Sequence, residues 1–530
     1  MKFPIGIQDF KTIIEDGYVY ADKTALIYDM VHEGKTYFLS RPRRFGKSLL
    51  VSTLEYYFQG CKELFTNLAI DQLEEEWTTY PVFHIDFNST VFQEGQALYR
   101  LLKATVSSWE KEYGYEGNPN YDSGKRFAEL LAYVHQSTGK RCVVLIDEYD
   151  KPLLDVLGLN AKTQDADGNV MLIEDYNRNL LKGFYSTFKA ADADLKFVLL
   201  TGVTKFSQVS VFSGFNQPED ISLSNRYEAL CGITNEEMEN VFGQEIDYMA
   251  TDLHIAPKEM RNLLKKQYDG YHFSDGLTDI YNPFSVLNAL KSHKLKDYWF
   301  SSGTPTYLVR LLAHTEEDLN DITGKYYDTS DFVDYHADVE RPLPMIYQSG
   351  YLTIKDYDPM TETFLLDFPN NEVKRGFTTA IANNYLQPKK PLLSDMAQMV
   401  RSLAVADLHA FCNQLTAFFA SIPYSMRRKD SERERERYFH YTFYLLFRIF
   451  STYLVLSEKQ QSEGRADCII ETANDVFIFE FKLDGNADEA LVQIEKRGYT
   501  RPYVADKRRV HCIGVNFSSK TGTIDDWKVQ

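Results

Sequence analysis

Residues 38–54 read FLSRPRRFGKSLLVSTL, and no other stretch restricts the fold as much. A short apolar run, Tyr37-Phe38-Leu39, enters a basic turn, and LLVSTLEYYF follows Ser48 with helical spacing. Gly46-Lys47-Ser48 has the form of the end of a phosphate-binding loop, G-x-x-x-x-G-K-[ST]. A strand, a tight loop and a helix in that order bring free backbone N–H groups and a positive helix end to one point. Lys47 would then reach the β- and γ-phosphates of a nucleotide, and Ser48 would hold Mg2+. The pattern's first glycine falls at position 41, where the chain has Arg41. From this stretch alone, a basic β–α turn without a ligand stays open.

About one hundred residues on, CVVLIDE (142–148) is an apolar strand ending in two carboxylates. In a site with a bound polyphosphate, Asp147 would hold the Mg2+ shell and Glu148 would orient or deprotonate the attacking water. A further strand, FVLLTG, carries Thr201 at its end, either touching a γ-phosphate or capping the next element. Short apolar runs at 36–39, 82–87, 142–146 and 197–201 alternate with helical segments. That alternation predicts α/β layers around a mainly parallel sheet over 1–235.

The chain has 530 residues, too many for one core, so about three or four domains are expected. With 44% hydrophobic and 14% aromatic residues it is not a disordered chain. Its net charge of −18 confines any nucleic-acid contact to local basic faces. Six cysteines, none at C-x-x-C spacing, argue against a zinc site or a disulfide framework and fit a reducing cytoplasm. No run of 18 apolar residues occurs, so no membrane span is expected, and no membrane partner is expected.

Residues 236–335 lose the strand signal and read as a helical lid. Residues 336–395 read as helix, strand, Asp-Pro turn, strand and helix, the order of a small winged helix. Residues 396–437 read as a helical linker that ends in the mixed-charge run MRRKDSERERER. Residues 438–530 read as helix, strand, hairpin, strand, helix, strand.

In that last segment, EGRADCIIETANDVFIFEFK (463–482) folds on paper into a hairpin. A period of two puts Glu480 and Lys482 on one face and Phe477, Phe479 and Phe481 on the other. Pairing brings Asp467 beside Glu480. Asp467 and Glu480 would bind a divalent metal, Mg2+ by donor type, and Lys482 would position water or neutralise transition-state charge. A surface Glu–Lys pair is the plain alternative.

The motifs GIQDF, YVYADKT, SRPRRFGKSLL, LIDEYDKPL and LTGVTKFSQVSVFSGFNQPEDIS resemble the bacterial AAA-ATPase-like family, akin to archaeal-type and STAND P-loop ATPases. The resemblance implies nucleotide contacts from Pro42, Arg43, Arg44, Phe45, Gly46, Lys47, Ser48 and Leu49, and it tolerates Arg41. It also implies a lid motif at Gly303, Thr304 and Pro305, although a proline in the first helical turn needs no ligand. Residues 430–530 resemble the PD-(D/E)xK nuclease superfamily, with Asp467, Glu480 and Lys482 matching D…E-x-K and Ala466 standing where that motif has proline. Gln493 and Glu436 fall where such nucleases carry a helix glutamine and an extra acid.

The expected fold is therefore an α/β P-loop NTPase with helical lid and winged-helix-like module, followed by a restriction-endonuclease-like α/β domain. The expected cofactors are ATP and Mg2+. The expected partner is nucleic acid, DNA favoured over RNA, and a homo-oligomer stays open because an arginine finger could come from a neighbouring copy. A STAND-type signalling scaffold with a catalytically silent nuclease fold is the alternative, and a winged-helix transcription regulator a third reading.

Overall fold

The computed structural model describes residues 1–165, 168–205, 218–302, 322–333, 342–386, 392–422, 442, 445–450, 468–472 and 474–530. The chain divides into two compact units, Met1–Asn370 and Asn371–Gln530.

The first unit is built on five parallel strands. In chain order they are β1 (Thr36–Ser40), β2 (Val82–Asp86), β3 (Cys142–Asp147), β4 (Leu195–Gly202) and β5 (Glu219–Asp220). Their spatial order is β2-β3-β4-β1-β5. Every residue of β3 is buried, as a central strand covered on both faces requires. The alternation in β2 shows the two faces. Phe83 packs against Trp109 and Phe127, at 5.1 and 5.5 Å between ring centroids. Its neighbour His84 bonds Glu55 on helix α1 (Lys47–Phe58), which packs Phe58 against Phe197 of β4. The strand runs expected from the sequence are all present, and the sheet is parallel. The two-residue β5 and a hairpin at Lys162–Gln164 and Val170–Leu172 were not legible, because such short strands carry no periodicity.

The helices after the sheet begin where local chemistry favours it. Helix α2 (Asn235–Asp252) starts with a capping box of Thr234 and Glu237. Helix α3 (Pro257–Tyr268) starts with proline, and α4 (Pro283–Ser292) with proline behind an Asn282 cap. Met238, Phe242, Ile246, Met260, Leu264, Val286 and Leu290 form their shared core. Beyond them, β6 (Lys325–Tyr327), β7 (Thr353–Asp358) and β8 (Thr363–Asp367) make an antiparallel sheet in the order β6-β8-β7. The helix Leu343–Gln348 precedes the β7–β8 hairpin.

The second unit opens with helices Asn371–Leu386, Leu392–Ala404 and Leu408–Ser421. Its sheet has four strands in sequential order: β9 (Cys468–Glu471), β10 (Asp475–Leu483), β11 (Arg509–Ser518) and β12 (Thr523–Val529). The β10–β11 pair is parallel and the outer pairs are antiparallel. Helix α5 (Ala487–Arg497) makes the crossover between β10 and β11. The closing β11–β12 hairpin differs from the expected order, which ended on one strand. The edge strand TIDDWKV is largely polar, so it gave no apolar alternation.

Candidate nucleotide and nuclease sites

The loop from Arg41 to Gly46 joins β1 to α1. Arg44 and Gly46 take left-handed conformations, φ 68° and 95°. A Cβ at Gly46 would meet no atom within 4 Å, but that φ favours glycine. Among the described residues no side chain caps α1, and its first turn holds no acid, so its leading N–H groups face the loop. Lys47 is only 3% exposed. Its Nζ donates to Arg41 O (3.1 Å) and Pro42 O (3.4 Å) and lies 3.3 Å from Glu148 Oε1.

Asp147, 2% exposed, ends β3. Thr201 Oγ1, on the adjacent strand β4, donates to Asp147 Oδ1 at 2.6 Å, and the Glu148 N–H donates to the same oxygen at 3.1 Å. The Thr201 hydroxyl therefore orients the acid at the end of β3. Glu148 has φ 54°, a turn that carries its carboxylate to Lys47. A cavity of about 710 Å³, of the size of a small-molecule site, holds Arg43, Arg44, Gly46, Lys47, Ser48, Leu49 and Glu148 in its lining. Ile5, Ile7, Phe284 and Leu287 supply apolar wall beside that polar end.

The remaining loop residues face inward. Phe45 is buried against Tyr271 and Phe273 at 4.7 and 5.4 Å. Pro42 packs under Gly350, where a Cβ would come within 2.6 Å of it. Gly303 and Pro305 lie outside the described residues.

In the second unit, Glu480 is 2% exposed, and the Phe477, Phe479 and Phe481 side chains are buried. Lys482 Nζ lies 3.4 Å from Glu480 Oε1 and donates to Gln493 Oε1 at 2.7 Å, while Gln493 Nε2 donates to Glu480. Gln493 reaches them because α5 lies directly on the backbone of Gly514. A Cβ there would overlap Ala487 O and sit 3.1 Å from Ala490 Cβ. Gly514 is the register partner of Glu480, and Asn516 that of Lys482. Three expected side chains thus converge, while Asp467 and Glu436 lie outside the described residues. Among the described residues, no three or more His, Cys, Asp or Glu side chains converge as a metal cluster.

Two basic residues beyond α5 pair with acids. Arg508 pairs with Glu471 (2.9 Å) and Asp506, and Arg509 with Asp475 (2.7 Å). Both lie toward the Asp475 end of β10, away from Glu480. The Asp475 carboxyl sits below the usual range: burial alone would raise it, and the bonds from Arg509 and His511 outweigh that.

Residues 4–212 match the family described as Predicted AAA-ATPase, and residues 434–527 match the PD-(D/E)XK nuclease superfamily. Over 548 aligned positions the chain is 34% identical to the uncharacterized protein in the vnfD 5′ region of Azotobacter chroococcum mcd 1, covering 100% of this chain and 99% of that one. The chain belongs to the AAA-ATPase-like family and ends in a PD-(D/E)XK nuclease superfamily domain. Two solved structures align at low similarity. The Aeropyrum pernix ORC1 protein, solved in complex with DNA, aligns at 9% identity and TM-score 0.26 over 70% of this chain and 96% of that one. The ORC2 protein of the same organism aligns at 11% and 0.24 over 71% and 98%.

Several residues of the AAA-ATPase-like domain escaped the sequence reading. Asp150 Oδ2 accepts from the Val203 and Thr204 N–H groups and the Thr204 hydroxyl, and Tyr149 OH donates to Thr204 O, so the strand end bearing Thr201 is fixed from the turn after β3. Burial, with Glu148 nearby, pushes the Asp150 carboxyl up to about 6. The repeated acid in IDEYD was the available signal. The apolar cavity walls, from residues far apart in sequence, gave none.

Proposed function

We propose that the chain is an ATP-binding switch whose nucleotide state controls a Mg2+-dependent nuclease, acting on nucleic-acid phosphodiesters with DNA favoured over RNA. The observation that carries this reading is the pairing, in one chain, of the Lys47–Glu148 couple in the loop cavity with the Glu480–Lys482–Gln493 cluster on an aromatic-backed sheet. The two matched domains make an ATPase-plus-nuclease architecture. Control of one by the other, a role in defence against foreign DNA and a cytoplasmic setting belong to the proposal. So do a homo-oligomeric assembly and the division into lid (236–335), winged-helix-like module (336–395) and linker (396–437).

In this reading the triphosphate lies over the α1 N–H groups, with Lys47 released from Glu148 to meet it. Arg43 and Arg44 line the same cavity and add positive charge. Phe284 and Leu287 face the base. Ser48 and Asp147 are oxygen donors of the kind a hard cation takes, and Glu480 with Asp467 would form the second such set. Mg2+ bound there would polarise the phosphoryl group and acidify a water. Glu148 orients the attacking water in the first site and Lys482 does so in the second. Turnover of ATP is expected to be slow, below about one per second and so at the low end of the enzyme range.

The test combines two variants. Lys47→Ala is expected to abolish ATP binding by calorimetry, and unchanged binding refutes the loop assignment. Lys482→Ala is expected to abolish Mg2+-dependent cleavage of DNA, and persistent cleavage removes Lys482 from the site. A nucleotide-switched scaffold with a silent nuclease fold is the second reading, favoured by the mutual bonding of Glu480, Lys482 and Gln493. ATP binding with no cleavage of any nucleic acid would select it.

A further inference from the structure

Arg41 stands where the phosphate-loop pattern has glycine, yet its side chain does not enter the cavity. It is 1% exposed and turned into the protein. Its Nη1 donates to Ser40 O (2.9 Å) and Ser222 O (2.8 Å), and its Nη2 to Tyr227 O (3.3 Å). The guanidinium lies 4.1 Å from the Phe273 ring centroid, a cation–π contact in a desolvated place. No carboxylate forms an ion pair with it among the described residues, and burial lowers its pKa.

The next four residues are held from the same side. Pro42 abuts Gly350, Arg43 O accepts from Trp299 Nε1 at 2.9 Å, Arg44 lies over Phe284 at 5.0 Å, and Phe45 packs on Tyr271 and Phe273. Gly232 N–H also donates to Phe45 O at 3.1 Å. All five loop residues ahead of Gly46 therefore bear on elements beyond residue 220, most of them in the segment 271–299.

We infer that Arg41 is a positioning residue that pins the phosphate loop to the connecting segments behind it, at Ser222, Tyr227 and Phe273, so that loop and segments move as one piece and phosphate binding is felt at Phe273 and Trp299. A glycine at 41 would free the loop backbone but leave the Ser222 and Tyr227 carbonyls without this donor. Lysine would keep the charge but not the planar fork that spans Ser40, Ser222 and Tyr227. Restoring the textual glycine should thus weaken the loop instead of improving it. The consequence for nucleotide affinity rests on the ATP reading above, whereas the mechanical link does not.

Two measurements on the full chain separate these. Amide hydrogen exchange without added nucleotide compares the parent with Arg41→Gly, Arg41→Lys and Trp299→Phe. Faster exchange at both 42–46 and 268–273 in the Arg41 variants, and at 42–46 in Trp299→Phe, is the expected result. Faster exchange in the loop alone, or in neither segment, overturns the inference. ATP binding by calorimetry should weaken by roughly tenfold to a hundredfold in Arg41→Gly, the range set by losing charge-assisted hydrogen bonds. Affinity at or above the parent's also overturns it. If the parent binds no ATP, the nucleotide reading falls, and the exchange pattern alone decides the link. Because Arg41→Lys keeps the buried charge, it stands in should Arg41→Gly fail to fold.

Discussion

Gly514→Ala tests how α5 carries Gln493 to its partners. The added Cβ would overlap Ala487 O and press on Ala490 Cβ and Leu491 Cγ, both 3.1 Å away. Close-packed interiors yield only by shifting a neighbour, and relieving this overlap requires α5 to retreat by about 1 Å. Overpacking of this kind costs about 1–3 kcal/mol. The Gln493–Lys482 bond, 2.7 Å in the structure, would then stretch past hydrogen-bonding range. Misplacement by about 1 Å lowers a positioned reaction by roughly a hundredfold, so DNA cleavage should fall by one to two orders of magnitude. Two assays on the variant check this: cleavage with Mg2+, and hydrogen exchange over residues 487–497. Faster exchange in α5 with cleavage at the parent rate would show that Gln493 does not position Lys482. Unchanged exchange would refute the packing argument itself.

Other expectations follow from single contacts. Asp269 is 1% exposed and 3.9 Å from Lys265, and burial pushes its carboxyl up to about 7. A raised carboxyl binds its proton more tightly folded than unfolded, so stability should fall as pH rises from about 4 to 7, by about 4 kcal/mol in all. Thermal unfolding from pH 5 to 8 should show this slope in the parent and a flatter one in Asp269→Asn; equal slopes would refute it. Thr201→Val removes the 2.6 Å bond to Asp147 and should slow ATP turnover about tenfold with little change in binding, read as kcat against KM. Glu110→Ala strands the buried Arg126 guanidinium and should cost about 3–5 kcal/mol, visible as a lowered unfolding temperature.

Much of this arrangement was legible because short-range chemistry fixes it. The buried strand CVVLID reads as central whatever surrounds it, and Gly46-Lys47-Ser48 must open a helix after a strand. The alternation in VFIFEFK placed Glu480 and Lys482 on one face, as found. What stayed hidden depends on contacts between distant residues. Arg41 looked like a departure from a pattern, and only the carbonyls of Ser222 and Tyr227 explain it. Nothing local in the sequence marks Gly514, because what requires glycine there is α5 lying across it. Arg508 and Arg509 likewise find acids that no local spacing announces.

The contact between Lys47 and Glu148 has a further consequence for what the loop can recognise. A ligand that reaches the ammonium must replace a carboxylate already 3.3 Å from it. A neutral nucleoside offers nothing for that exchange, and a single weak anion little more. A polyphosphate offers several negative oxygens and the α1 N–H groups to receive them. On the proposed nucleotide reading, the pair would act as a threshold on ligand charge, set before any base or sugar is read.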